Sequence, residues 1–169
     1  MSVNTEQNKV ENEENLILNQ QLIVFKLGGE EYALTIEQIK EVVLTPAITN
    51  IPHTHDYIKG IGNVRGNIIA IIDLEDKFKM RKSENWKGNY TLVVESESFK
   101  VGILSEQVPD TLAVADSQID NSLNFGAGSE SGGMDSNYIK GIVKLDNRLI
   151  ILIDIFKILN EEEITESIK

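Results

Sequence analysis

Two stretches decide the fold: residues 57–78, YIKGIGNVRGNIIAIIDLEDKF, and residues 138–159, YIKGIVKLDNRLIILIDIFKIL. At an offset of 81, Tyr57-Ile58-Lys59-Gly60-Ile61 recurs unchanged as Tyr138-Ile139-Lys140-Gly141-Ile142, and Ile72-Asp73 recurs as Ile153-Asp154. A fainter echo precedes it at an offset of 69, where Ala33-Leu34-Thr35-Ile36-Glu37-Gln38-Ile39 aligns with Gly102-Ile103-Leu104-Ser105-Glu106-Gln107-Val108 and the apolar residues 22–25 align with 91–94. The offsets differ by 12, so the second copy carries a longer connection, and the Gly/Ser-rich residues 126–133 supply it. Two copies are too few for a solenoid, which needs a stack of neighbours to bury its core. The spacing therefore predicts two similar subdomains related by a pseudo-twofold axis.

Each copy reads as strands. Residues 21–27 lead into Gly28-Gly29, a two-residue hairpin signal, and residues 31–36 return from it. Apolar spacing loosens over 37–43, which allows a short helical turn before another strand, and Pro46 and Pro52 bracket an irregular crossing. The strands 68–72 and 149–153 are apolar at every position and read as buried on both faces, because a sheet with one wet face would alternate. Small closed barrels filled with aliphatic side chains fit this pattern, and closure also removes exposed edges. Short helices are expected at 74–80 and 155–160.

Composition narrows the function. In 169 residues 41% are hydrophobic but only 6% aromatic, so Ile, Leu and Val must fill the core. There is no cysteine, which excludes disulfides, thiolate metal sites and cysteine nucleophiles. The net charge is −11, and the two ends (residues 1–20 and 161–169) carry −3 each. Nucleic acid and anionic membrane surfaces are disfavoured partners, since both need a basic face. No apolar run reaches the ~18 residues of a membrane span, and the Asn/Glu/Gln-rich start lacks the features of a signal peptide, so a cytoplasmic protein is expected. We expect a disordered acidic tail at 1–19, a folded domain at 20–160 with cores at about 22–78 and 91–159, and an acidic tail at 161–169.

Reactive constellations are few. Asp73 and Asp154 occupy equivalent places, as the two acids of an aspartic-protease dyad do. Such a dyad needs small-residue loops, and here Leu74 and Ile155 follow, so helix capping is the preferred reading. His53 and His55 with Asp56 have metal-ligand spacing in an extended segment, but the chain has no other His, and an exposed loop is preferred. The glycines at 126–133 lack the phosphate-loop pattern. Arg65-Gly66 sits where the second copy has Asp146-Asn147. Turn geometry does not demand arginine there, and a solvated charge and a recognition residue are both open readings. Ile39, Val42, Val43 and Leu44 read as core, or as the rim of a groove for a partner helix.

The segment Asn63-Val64-Arg65-Gly66-Asn67-Ile68-Ile69-Ala70-Ile71-Ile72-Asp73-Leu74 resembles the N-L-R-G-x-[IV]-[IV]-P-[IV]-[IV]-D-L signature of the CheW family. Ala70 stands at the usual proline, and Glu75 where arginine is frequent. Tyr57-Ile58-Lys59-Gly60, Glu31-Tyr32-Ala33-Leu34, Val101-Gly102-Ile103-Leu104 and the segment 148–159 also resemble family blocks, and the match runs from about residue 20 to 160. The resemblance implies an all-β domain with short helices, made of two SH3-like five-stranded barrels. It implies a non-enzymatic, cofactor-free chemotaxis adaptor of two-component signalling. The implied partners are the cytoplasmic tips of transmembrane chemoreceptors and the regulatory domain of the histidine kinase CheA, met at the receptor array. At this length a stand-alone coupling protein is expected, without the receiver domain of CheV-type relatives. Carried over by motif, the partner-binding positions are Ile39, Glu41, Gly60, Arg65 and Gly66, with Leu92, Val93 and Gly102 in the second copy.

Overall fold

The computed structural model describes residues 19–122 and 134–159. Residues 1–18 of the expected N-terminal tail, the expected C-terminal tail at 161–169, residue 160 of the expected domain and the Gly/Ser-rich connection at 126–133 lie outside these residues, while Asn19, placed in the tail from sequence, opens the first strand.

The first copy contributes β1 (Asn19–Leu27), β2 (Glu30–Thr35), β3 (Ile39–Leu44), β4 (Ile48–Thr49), β5 (Ile58–Val64) and β6 (Asn67–Ile72), closed by the helix α1 (Leu74–Lys77). The second contributes β7 (Tyr90–Glu95), β8 (Lys100–Ser105), β9 (Asp110–Ala115), β10 (Ile119–Asp120), β11 (Ile139–Leu145) and β12 (Arg148–Ile153), closed by α2 (Ile155–Ile158). Both helices are a single turn, shorter than the sequence pattern suggests.

The sequence copies and the barrels are different units. One sheet runs β4-β5-β6-β8-β7-β3 and the other β10-β11-β12-β2-β1-β9. The first barrel thus takes four strands from the first copy and the hairpin β7–β8 from the second. The second barrel takes four strands from the second copy and the hairpin β1–β2 from the first. Each inserted hairpin joins its host through a parallel pair, β6 with β8 and β12 with β2, and every other pairing is antiparallel. The two strand orders match position for position, so the exchange is reciprocal. The architecture is a pair of SH3-like barrels, each of six hydrogen-bonded strands once the two-residue β4 and β10 are counted.

Exchange explains why the central strands are apolar on both faces. Val64, Ile69, Ile71, Val93 and Leu104 fill the first barrel. Leu22, Val24, Val114, Val143, Ile150 and Leu152 fill the second. The alternate residues of the same strands face a third, larger core between the barrels, where Phe25, Leu27 and Leu34 meet Ile72, Leu92, Ile103 and Ile153. Each such side chain, fully buried, contributes about 2 kcal/mol of gross hydrophobic free energy. The run 68–72 is buried on both faces only from its second residue on, and so is 149–153 except that Ile151 stays partly exposed. Ile68 and Leu149 are 62% and 65% exposed, because each projects past the edge of the shared core.

Candidate functional site

The repeated Tyr-Ile-Lys-Gly-Ile block builds one device twice. Both β5 and β11 are bulged at their glycine, between Ile58 and Gly60 and between Ile139 and Gly141. The carbonyls of Tyr57 and Tyr138 each accept an amide 2.8 Å away, from Asp73 and Asp154 respectively. Each aspartate then caps its helix: Asp73 accepts the amide of Asp76 at 3.1 Å, and Asp154 that of Lys157 at 3.3 Å. The capping reading of both residues holds, and each carboxylate serves its own helix.

Gly60 has φ +142, and a Cβ there would lie 2.1 Å from the Thr49 carbonyl oxygen, so the bulge requires glycine. Gly66 has φ +87 and follows Arg65 at φ 50, which together make a two-residue hairpin turn with both residues left-handed. The Asn63 side chain accepts the Gly66 amide at 2.8 Å and fixes the turn. An arginine in this conformation costs roughly 1 kcal/mol. Its Nε donates to Glu41 Oε2 at 2.7 Å, with the Arg65 side chain 75% exposed and Glu41 20%. The pair therefore adds little to stability, about 0–1 kcal/mol. In the second barrel the corresponding turn, Asp146-Asn147, holds neither an arginine nor a left-handed residue.

Beside Glu41, alternation along β3 turns Lys40, Val42 and Leu44 outward. Lys40 is bridged to Glu95 at 3.2 Å. Leu44 is 73% exposed and Val42 close to 40%, leaving an apolar strip along β3 on the first barrel, and Ile48 on β4 is exposed to a similar degree as Val42. The matching face of β9 shows Thr111 and Ala113. Ile39 is half-buried against the shared core, whereas Val43 turns into the first barrel.

Three carried-over residues are corrected by burial. Leu92 and Val93 are wholly inaccessible, one facing the shared core and the other the first barrel's interior, so neither side chain is available to a partner. Gly102 is buried in β8, and a Cβ there would lie 2.5 Å from the Thr91 methyl and 3.0 Å from Ile71. Its part is close packing.

A cavity of about 330 Å³ opens at the seam where the β1–β2 turn meets the segment after α1. Sequence reasoning missed its polar floor, because the residues come from distant segments without a motif. Lys82 reaches back to Asp73, which is 1% exposed, and to Asp76 at 2.8 Å, while its ammonium lies 4.4 Å over the Trp86 ring. Lys59 also pairs with Asp76. Burial opposes the charge on both Asp76 and Lys82, but the bonds from Lys59 and Lys82 hold Asp76 below the usual carboxylate range, and those to Asp73 and Asp76 raise Lys82. Glu75, 5% exposed, accepts the Gly28 amide at 3.1 Å, and burial raises its carboxyl above the ordinary value.

His53 and His55 lie exposed in the loop between β4 and β5, with His55 stacked on Tyr57 at 5.2 Å. Among the described residues no three potential metal-ligating side chains cluster, and no helix is long and apolar enough to cross a membrane.

The fold and this geometry define a class: a duplicated SH3-like barrel module whose outward features are an arginine-tipped turn and an apolar strip. The family model of the CheW-like domain matches residues 21–163, and the chain belongs to that family. It is 33% identical to the chemotaxis protein CheW of Klebsiella aerogenes over 86% of this chain and 85% of that protein. It is 30% identical to the chemotaxis protein CheW of Treponema pallidum over 85% and 84%. The crystal structure of the scaffolding protein TtCheW from Thermoanaerobacter tengcongensis superposes with a TM-score of 0.67 at 31% identity, covering 80% of this chain and 88% of that one.

Proposed function

We propose that the chain is a non-enzymatic chemotaxis adaptor that couples the cytoplasmic tips of chemoreceptors to the regulatory domain of the histidine kinase CheA, working in the cytoplasm at the receptor array. The observation that carries this reading is Arg65. A left-handed arginine is held at a turn tip by Glu41, three-quarters exposed, on a protein of net charge −11. Neither the fold nor the turn requires it, and backbone strain of this kind gathers at functional positions. A planar guanidinium so fixed is suited to bidentate recognition of a partner carboxylate.

In this reading Arg65, Gly66 and Glu41 form the kinase-facing contact. Val42 and Leu44 line the face against which an amphipathic receptor helix lays its apolar side, and Ile39 backs the same strand from the shared core. Gly60 acts on both by shaping the bulge. Each contact is modest, and the array supplies the avidity. Arg65→Glu leaves the fold intact and sets two like charges beside each other. Co-purification with a CheA regulatory fragment and a receptor tip fragment tests this: the variant should lose the kinase fragment at least tenfold in affinity. Retention of both fragments at wild-type affinity would remove Arg65 from the interface.

A further inference from the structure

Glu75 and Phe156 stand two residues past the capping aspartates, at equivalent places in the two copies. Each touches the tip of the hairpin that its barrel does not own. Phe156 meets Phe99, beside the β7–β8 turn, edge to face with centroids 5.9 Å apart. Glu75 instead accepts the Gly28 amide in the β1–β2 turn, and Trp86 lines the same cavity. The contact is a nearly buried carboxylate on the floor of the seam cavity, so one side of the inter-barrel joint is closed by rings and the other by an ionisable group.

We propose that Glu75 is a proton-operated pin: protonation tightens the β1–β2 side of the seam, and ionisation loosens it, while the Phe99–Phe156 side does not respond. The direction follows from linkage. When Glu75 leaves the seam it returns to water and the ordinary glutamate range, whereas burial raises its carboxyl in place. The pinned state therefore holds the proton more tightly, and falling pH favours it. The surrounding charges share the same cavity. Burial outweighs the other influences on Glu75, of which the Gly28 amide and Lys82 lower it and Asp73 raises it; Lys26 and Glu31 come from the hairpin, Arg81 from the segment after α1, Glu106 from the β8–β9 connection and Asp110 from the start of β9. Glu31 is held low by Arg148, so its titration falls on the acid side of the ordinary range.

Amide hydrogen exchange of the full chain, corrected for intrinsic rates, tests the pin. At pH 7, Glu75→Gln keeps an acceptor without the charge and should slow Gly28 exchange. Glu75→Ala should speed it about fivefold, the equivalent of one hydrogen bond. Amides of the β7–β8 tip should be unchanged in both. In the unaltered protein, Gly28 protection should rise as pH falls through a midpoint above the ordinary glutamate value. The emission of Trp86, the chain's single tryptophan, should change with the same midpoint. Exchange in Glu75→Gln as fast as in Glu75→Ala would overturn the proposal. So would an unaltered protein whose Gly28 amide and Trp86 emission stay constant through that range, a result that needs no folded variant.

Discussion

In the first barrel Asp73 is buried and gripped by Lys82; in the second, its counterpart Asp154 is only half-buried and caps its helix, with no lysine among the described residues upon it. The same imbalance recurs elsewhere. Arg65 stands against Asp146, the apolar face of β3 against Thr111 and Ala113 on β9, and Glu75 against Phe156. In the other direction, the second barrel fastens its inserted hairpin with a two-point bond from Arg148 to Glu31, at 3.0 and 2.7 Å, where the first barrel has Asn67 and Lys100 at the matching places. Duplication thus preserved the bulge, the cap and the cores, which the fold needs in both halves. The surfaces, which it does not need, have diverged.

That comparison can be broken at matched positions. The largest difference is expected at the bulges. Gly60→Ala should destabilise by more than about 3 kcal/mol, because its Cβ would meet a backbone oxygen at 2.1 Å from a left-handed φ. Gly141→Ala should cost clearly less, since its nearest neighbour is the Asn121 side chain at 2.6 Å, which can turn away. Denaturant midpoints of the two variants measure the gap, and equal losses would mean that the bulges are alike after all.

Next come the caps. Asp73→Ala leaves the Lys82 ammonium without one of its two partners and should cost about 3 kcal/mol, against about 1 kcal/mol for Asp154→Ala. Thermal melts of the pair rank them.

A smaller effect is expected at the hairpin clasp. Arg148→Ala should lower stability by about 1 kcal/mol at pH 7. The hydrogen bond from Arg148 holds Glu31 below the ordinary carboxylate value. Its stabilisation is therefore present above the unfolded range and disappears as pH falls through the folded one, so the difference between variant and parent should vanish in acid. A difference that persists at pH 2 would assign it to packing by the arginine stem.

The smallest effect on stability belongs to Leu44→Ser, expected within about 0.5 kcal/mol because the side chain is largely exposed. The same substitution should weaken binding of a receptor tip fragment in titration calorimetry, and Thr111→Ser on the matching face should not.

Much of this was legible in the sequence. Identity at an offset of 81 announced the duplication, Gly28-Gly29 the hairpin, and an aspartate before a short apolar turn the caps. The exchange was not legible, because a strand apolar on both faces is equally consistent with either host. Ile68 and Leu149 read as core for the same reason: periodicity gives the face of a residue but not how far the neighbouring layer extends. Leu92, Val93 and Gly102 were misplaced by position in a motif, which carries no information about depth. The Lys82, Glu75 and Trp86 cluster joins residues with no spacing rule, and only tertiary geometry reveals it.

Reciprocal insertion of β1–β2 and β7–β8 has a consequence for the chain's ancestry and for cutting it. A polypeptide with one repeat would own four strands of a barrel and a hairpin with no home, and would complete itself only by trading hairpins with a twin. The two-repeat chain is, in effect, a swapped homodimer fused end to end. Severing it near Gly88 should therefore yield halves that are unstable apart and that restore both barrels when mixed.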